Sequence, residues 1–234
     1  MLMYYGYYFD PTYILVFIGL LLTLMASALV NSTYAKYKQV RSMSGMTGAQ
    51  AAERILHQAG IYDVQIRHIA GDLTDNYNPK TKVLSLSDAV YGNTSVAAIG
   101  VAAHECGHAI QHAKQYAPLV LRSAMVPAVN ICSTLSWPVI LLGVILSFNQ
   151  SLILLGIILF AAAVVFSIVT LPVEFNASHR ALKILGGTGM LTRDEVGKAR
   201  KVLTAAALTY VASAASMILQ LLRLVLLFGG DRDR

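Results

Sequence analysis

Four long apolar segments dominate the pattern of hydrophobic and polar positions along the chain. They cover about residues 13–30, 125–148, 151–173 and 203–228. Each is close to or above the roughly 20 residues that a helix needs to cross a hydrocarbon core of about 30 Å. The pattern therefore predicts about four transmembrane helices, joined by polar segments that lie outside the bilayer.

The longer polar segment, about 31–122, carries most of the predicted short elements. Alternating polar and apolar positions indicate a strand before a run of turn-forming residues, and a second strand after it. We expect these strands to form a short hairpin or two-stranded sheet. The predicted elements are a helix over 48–58 capped by Thr47, strands over 63–69 and 82–86 on either side of the turn residues 75–79, and a buried helix over about 95–115.

The shorter polar segment, about 174–202, is predicted to be helical at both ends. The helix of the third apolar run should continue to Leu185 and stop at the glycines of 186–189. Thr192 and Glu195 form a capping-box pattern, which predicts a new helix that runs on into the fourth apolar run.

Composition and charge place the chain in a membrane. It is 56% hydrophobic and only 13% charged, which is not the surface of a soluble domain. No internal repeat or long linker interrupts it, so we predict one domain over 1–234. The expected fold is a mainly α membrane protein of about four transmembrane helices, with a small α+β zincin-like catalytic layer in the cytoplasm.

The distribution of lysine and arginine predicts the orientation. These residues cluster after the first apolar run and between the third and fourth, and such clusters mark cytoplasmic segments. We therefore expect a multi-pass protein of the cell membrane with its active site on the cytoplasmic side. Basic loops beside anionic lipid account for the net charge of +6 without a nucleic-acid partner.

The strongest chemical signal is the sequence His104-Glu-Cys-Gly-His108 on the predicted buried helix. Residues four apart share one face of a helix, so both imidazoles can bind one tetrahedral Zn²⁺. Glu105 then lies at the edge of the same site. There it can take a proton from a metal-bound water and give it to a leaving amine.

A catalytic zinc site needs a third protein ligand, and Glu174 is the first candidate. It lies where the third apolar run meets the cytoplasm, and two spans separate it from His108, which returns the chain to the same side. An ionisable residue at that depth is typical of a functional site. His112 and His179 are the alternatives, although His112 lies two turns beyond His104 and fits a supporting role better.

The residues that follow Glu174 on the same predicted helix include three candidates for supporting chemistry. Ser178 lies one helical turn further on and can hydrogen-bond the outer nitrogen of a ligating histidine. His179 and Arg180 are candidates for stabilising a developing oxyanion, and Arg180 fits equally well as a cytoplasmic positive charge.

These motifs resemble the YugP-like neutral zinc metallopeptidases, membrane proteins related to the gluzincins. The resemblance covers most of the polar chain, in the stretches 71–79, 84–87, 100–109 and 174–178. A more distant similarity to HtpX-like and CAAX-processing peptidases lies in the order of parts: anchor, H-E-x-x-H helix, two spans, then a glutamate. Those relatives usually have aspartate where this chain has Ser178.

The resemblance implies one Zn²⁺ per chain bound by His104, His108 and Glu174, with Glu105 as the general base. By the same analogy, the second strand would be the sheet edge that pairs with an extended substrate. That strand comprises Lys82, Val83, Leu84, Ser85 and Leu86.

The sequence thus predicts a zinc-dependent endopeptidase that acts on membrane-associated or unfolded proteins at the cytoplasmic membrane face. Its expected partners are a protein or peptide substrate, the lipid bilayer, and a membrane-protein partner or second copy of the chain. The alternative is a zinc-binding membrane scaffold without proteolytic activity, against which the intact Glu105 argues. A metal transporter would need more polar ligands inside the spans, which offer little beyond Asn130.

Overall fold

The computed structural model describes residues 10–229, and the chain in this range is mostly helical. It holds six helices and a small sheet of three strands. In chain order these are α1 Tyr13–Tyr37, α2 Gly48–Gln58, β1 Gln65–Ile69, β2 Asn76–Asn78, β3 Val83–Ser87, α3 Val96–Ala113, α4 Ala117–Ile145, α5 Gln150–Gly187 and α6 Arg193–Phe228.

Four of the helices, α1, α4, α5 and α6, are long and apolar enough to cross a membrane. They coincide with the four apolar runs of the sequence, so the prediction of about four helices with the length and apolar composition of membrane spans is confirmed. The helices are longer than the runs, because α5 and α6 extend through polar residues to 38 and 36 residues. The chain ends, 1–9 and 230–234, lie outside the described residues.

The chain forms two compact units. One contains residues 10–25, 126–167 and 212–229 of the described chain, which are mainly apolar helix. Within it, Ile140, Ile153, Ile157 and Leu224 form a buried cluster. The other unit contains residues 26–125 and 168–211, and it holds α2, the sheet, α3 and every candidate site residue.

The helices of the second unit begin as their sequences predict. Thr47 accepts a hydrogen bond from the backbone N–H of Gln50, and the Gln50 side chain accepts one from the N–H of Thr47, which completes a capping box. Thr192 and Glu195 make the same exchange at the start of α6. Glu195 also accepts a hydrogen bond of 2.7 Å from the backbone N–H of Met43, which joins α6 to the segment before α2.

The sheet differs from the predicted hairpin. β1 and β3 are present, but they pair in parallel, with Gln65 opposite Val83. A third strand, β2, lies within the turn-forming residues and pairs antiparallel with β3, with Tyr77 opposite Leu84. Parallel strands need a crossover connection, and β2 lies within that connection.

The strand order β1-β3-β2 corrects the predicted substrate edge. Residues Lys82 to Leu86 were expected to form a sheet edge, but β3 is the central strand and has neighbours on both sides. Its side chains Leu84 and Leu86 are fully buried. The backbone of β3 therefore pairs with β1 and β2, and the outer edges of the sheet belong to those two strands.

α3 lies at the centre of the core of the second unit. Ser95 caps it by accepting a hydrogen bond from the N–H of Ala98, and nearly all of its residues up to Gln111 are buried. Gly107 lets α3 approach α5 closely: a Cβ atom on this residue would lie 2.6 Å from the carbonyl oxygen of Ala177. Side chains from the two helices can therefore meet.

We predict that Gly107→Ala destabilises the protein, since the clashing atom belongs to helix backbone that cannot rotate away. Overpacking of this kind costs about 1–3 kcal/mol, and the separation of α3 from α5 should also weaken metal binding. Thermal unfolding in detergent measures the first effect. Gly197→Ala in α6 is the control, because nothing lies within 4 Å of a Cβ atom there; equal melting of the two variants would contradict the prediction.

Candidate metal centre

Two helices bring the three predicted ligands together. α3 carries His104 and His108 on one face, and α5 carries Glu174 opposite them. The Oε2 atom of Glu174 lies 3.3 Å from Nε2 of His104 and 3.5 Å from Nε2 of His108. Ligand atoms of the three side chains all lie within 4.8 Å of one another.

This geometry fits a zinc ion. Tetrahedral ligands at bond lengths of about 2.0–2.1 Å lie about 3.3 Å apart, which is close to the separations of 3.3 and 3.5 Å between Glu174 and the two histidines. The side chain of Glu174 is only 3% exposed, and its Oε2 atom has no hydrogen-bond partner among the described residues. A buried carboxylate oxygen without a donor is costly unless a cation binds it, so the donor set of two imidazoles and one carboxylate suits Zn²⁺.

The other oxygen of Glu174 has a different neighbour. Nη1 of Arg122, in α4, lies 3.7 Å from Oε1. This long ion pair places positive charge on one side of the carboxylate and leaves Oε2 facing the histidines. Arg122 was not among the sequence candidates, since it lies at the end of the polar segment, just before the second apolar run, and has no motif around it.

Glu105 follows His104 directly and is buried beside the cluster. Burial raises its pKa above the ordinary value for glutamate, while the charges of His104 and His108 act in the opposite direction. A carboxylate whose proton affinity is increased by burial is better suited to accept a proton from water and release it again. This is the position that the H-E-x-x-H pattern predicts for a general base.

A cavity of about 200 Å³ adjoins the cluster. His104, Glu105 and Glu174 line one part of it, and Tyr210 of α6 contributes a phenol. Asp75, beside β2, lines it as well, and its carboxylate accepts hydrogen bonds from the N–H and hydroxyl of Ser87. The catalytic candidates therefore face a space that can admit part of a substrate.

The outer nitrogens of both histidines have partners. Nδ1 of His104 lies 3.1 Å from the hydroxyl of Ser178, so the hydrogen bond proposed for Ser178 is present. Nδ1 of His108 lies 3.0 Å from Oε1 of Gln111, a fully buried residue that sequence analysis did not single out. Its position three residues after His108 on the same helix was the available signal.

The remaining sequence candidates lie elsewhere. His112 makes a hydrogen bond of 2.9 Å with the hydroxyl of Tyr77 and does not belong to the ligand cluster. His179 is exposed on α5 and does not line the cavity described above. Arg180 hydrogen-bonds Asn176 and lies over the ring of Tyr116, so neither predicted oxyanion candidate faces the cavity.

Comparison with known proteins identifies the family. A family described as "Putative neutral zinc metallopeptidase" matches residues 12–229. The chain is 48% identical to "Putative membrane protease YugP" of Bacillus subtilis (strain 168) over 212 residues, which are 91% of this chain and 94% of that protein. No solved structure matches.

These matches agree with the architecture and the ligand cluster. The membrane protease relative and the four apolar helices together indicate a multi-pass membrane protein, and the family implies zinc as the metal. The chain therefore belongs to this zinc metallopeptidase family.

Proposed function

We propose that the protein is a zinc-dependent endopeptidase that cleaves membrane-associated or unfolded protein substrates at the cytoplasmic membrane face. The observation that carries this proposal is the convergence of His104, His108 and Glu174 within 4.8 Å, beside the buried Glu105. The basic residues of the polar segments favour the cytoplasmic side.

Nε2 of each histidine and Oε2 of Glu174 would hold one zinc ion per chain. When bound, zinc would lower the pKa of a water molecule to about 7 and polarise the carbonyl of the substrate. Glu105 would take the proton of the attacking water and pass it to the nitrogen of the leaving amine. Both transfers are carried by one carboxylate, so the residue ends the cycle in its starting state.

Tyr210 is the strongest candidate for stabilising the carbonyl oxygen as negative charge develops. Its side chain lines the cavity with His104, Glu105 and Glu174, and a phenol can donate a hydrogen bond to an oxyanion. It takes the place of the two sequence candidates, His179 and Arg180, which lie away from this cavity.

We expect purified wild-type protein to bind about one zinc per chain, since three protein ligands with an open fourth position suit one catalytic ion. His108→Ala and Glu174→Ala should each lose the metal, as measured by elemental analysis in detergent. His112→Ala is the matched control on α3, and it should keep the metal. Wild-type protein that takes up no zinc, or a Glu174→Ala variant with full zinc, would overturn the assigned site.

Glu105→Gln separates a peptidase from an inactive zinc-binding scaffold. The amide cannot accept the proton of water, so hydrolysis of an unfolded protein substrate should fall by about 10²–10⁴, while zinc content stays at the wild-type level. Glu53→Gln, at an exposed position of α2, is the control. If Glu105→Gln retained activity, the base would have to be sought elsewhere; if wild-type protein had none, the scaffold alternative would stand.

Tyr210→Phe tests the oxyanion role. Loss of one preorganised donor should lower kcat by about 10²–10³, with little change in KM or zinc content, because the hydroxyl acts on the transition state. Steady-state kinetics on a fluorogenic peptide measures both constants. A variant with unchanged kcat would exclude Tyr210 from this role.

A further inference from the structure

Gln111 connects three groups of the second unit at once. It is fully buried on α3, and its Oε1 atom lies 3.0 Å from Nδ1 of His108. Its Nε2 atom lies 2.8 Å from the carbonyl oxygen of Val173 and 3.1 Å from Oδ1 of Asn176, both on α5. Both ends of the Gln111 amide therefore have hydrogen-bond partners.

Chemistry fixes the direction of these bonds at one end. The carbonyl of Val173 can only accept, so the amide atom of Gln111 that faces it must be the nitrogen. The amide oxygen must then face His108. Since that oxygen can only accept, Nδ1 of His108 must carry the proton.

Arg180, at the other end of this series of hydrogen bonds, independently fixes the same donor and acceptor assignment. Nε of Arg180 can only donate, and it lies 2.6 Å from Asn176. The Asn176 atom at this contact must therefore be its oxygen, which is also the atom that receives the hydrogen bond from Gln111. The carbonyl of Val173, which can only accept, and the guanidinium of Arg180, which can only donate, thus impose the same orientation on the amide of Gln111.

A neutral imidazole with a proton on Nδ1 has its lone pair on Nε2. In His108 this is the nitrogen that faces Oε2 of Glu174 at 3.5 Å. Of the two neutral forms of the imidazole, the arrangement therefore selects the one that can bind a metal ion through Nε2.

His104 has no equivalent constraint. Its partner is the hydroxyl of Ser178, which can donate or accept and so can satisfy either neutral form of the imidazole. The fixed direction is therefore particular to His108.

We propose that Gln111 and Asn176, anchored by Arg180, are positioning residues that select, for the neutral imidazole of His108, the tautomer whose Nε2 binds zinc. The proposal rests on the proposed zinc peptidase function. It gives Arg180 a role away from the substrate, as the donor that orients Asn176. The same bonds join α3 to α5, so the residues that select the ligand form also tie together the helices that carry the ligands.

Zinc affinity of folded variants, measured by competition with a chromogenic chelator, tests the proposal without substrate. Gln111→Met removes the amide but keeps much of its volume, and we expect zinc to bind about 10–100-fold more weakly. Asn176→Leu should weaken binding in the same direction. Asn176→Asp should stay within a few-fold of wild type, because a carboxylate oxygen still accepts from both Gln111 and Arg180.

Comparison of Asn176→Asp with Asn176→Leu separates loss of the hydrogen bonds from a general change in packing. Lys183→Met, at an exposed site on α5, is the control and should bind zinc like wild type. Circular dichroism and thermal unfolding of the metal-free variants establish which are folded. Wild-type affinity in folded Gln111→Met, or equal weakening in Asn176→Asp and Asn176→Leu, would overturn the proposal.

A second readout uses no metal at all. Nitrogen NMR of histidine-labelled, metal-free protein at alkaline pH reports which ring nitrogen carries the proton, with His108→Ala to assign the signal. We expect Nδ1 of His108 to be protonated in wild type and in Asn176→Asp, and the two neutral forms to be mixed in Gln111→Met. Protonation at Nε2 in wild type would refute the positioning role, whereas a wild-type protein that shows the expected NMR signal yet binds no zinc would refute only the peptidase proposal.

Discussion

The close approach of α3 and α5 is the constraint on which the candidate site depends. Two ligands lie on one helix and the third on the other, so the centre exists only if the backbones come close at Gly107 and Ala177. Glycine provides that proximity at the cost of some helix propensity. The loss is offset by burial of the surrounding side chains of α3, which lies at the centre of the core of its unit.

That proximity also creates an electrostatic problem. Glu105 and Glu174 are both buried and line the same cavity, and two carboxylates in such a place repel and are poorly solvated. The guanidinium of Arg122 supplies positive charge near Oε1 of Glu174, and the two imidazoles face Oε2 without donating a hydrogen bond to it. They leave Oε2 of Glu174 without a donor, and a divalent cation at that point would satisfy it and attract both carboxylates.

Much of this arrangement could be predicted from the sequence because its signals are local or periodic. The apolar runs, the capping residues Thr47 and Thr192, and the four-residue spacing of His104 and His108 depend on neighbours within a few turns. The prediction of Glu174 used one further argument, that two spans return the chain to the side it left. The structure places that residue opposite the histidines.

The sheet was predicted less well, since strand order depends on which segments cross over in space. Residues 75–79 are rich in turn formers, so their local preference predicts a turn and not a strand. Residues 76–78 form β2 because their backbone hydrogen bonds are made with β3, which the local sequence does not reveal. Once β2 occupies one side of β3 and β1 the other, the predicted substrate edge becomes a central strand. Arg122 and Tyr210 were missed because neither belongs to a motif, and each approaches the site from a helix other than α3 and α5.

Arg180 shows how much the role of a residue depends on the direction in which its side chain points and on whether it donates or accepts hydrogen bonds. From the sequence, its position near Glu174 suited an oxyanion contact or a cytoplasmic charge. In the structure its guanidinium donates to Asn176 and lies over the ring of Tyr116, and in the positioning role proposed above it acts on His108 through Asn176 and Gln111. Because an arginine never becomes an acceptor, it is a fixed starting point for such a sequence of hydrogen bonds, which a hydroxyl or a histidine at the same position would not be.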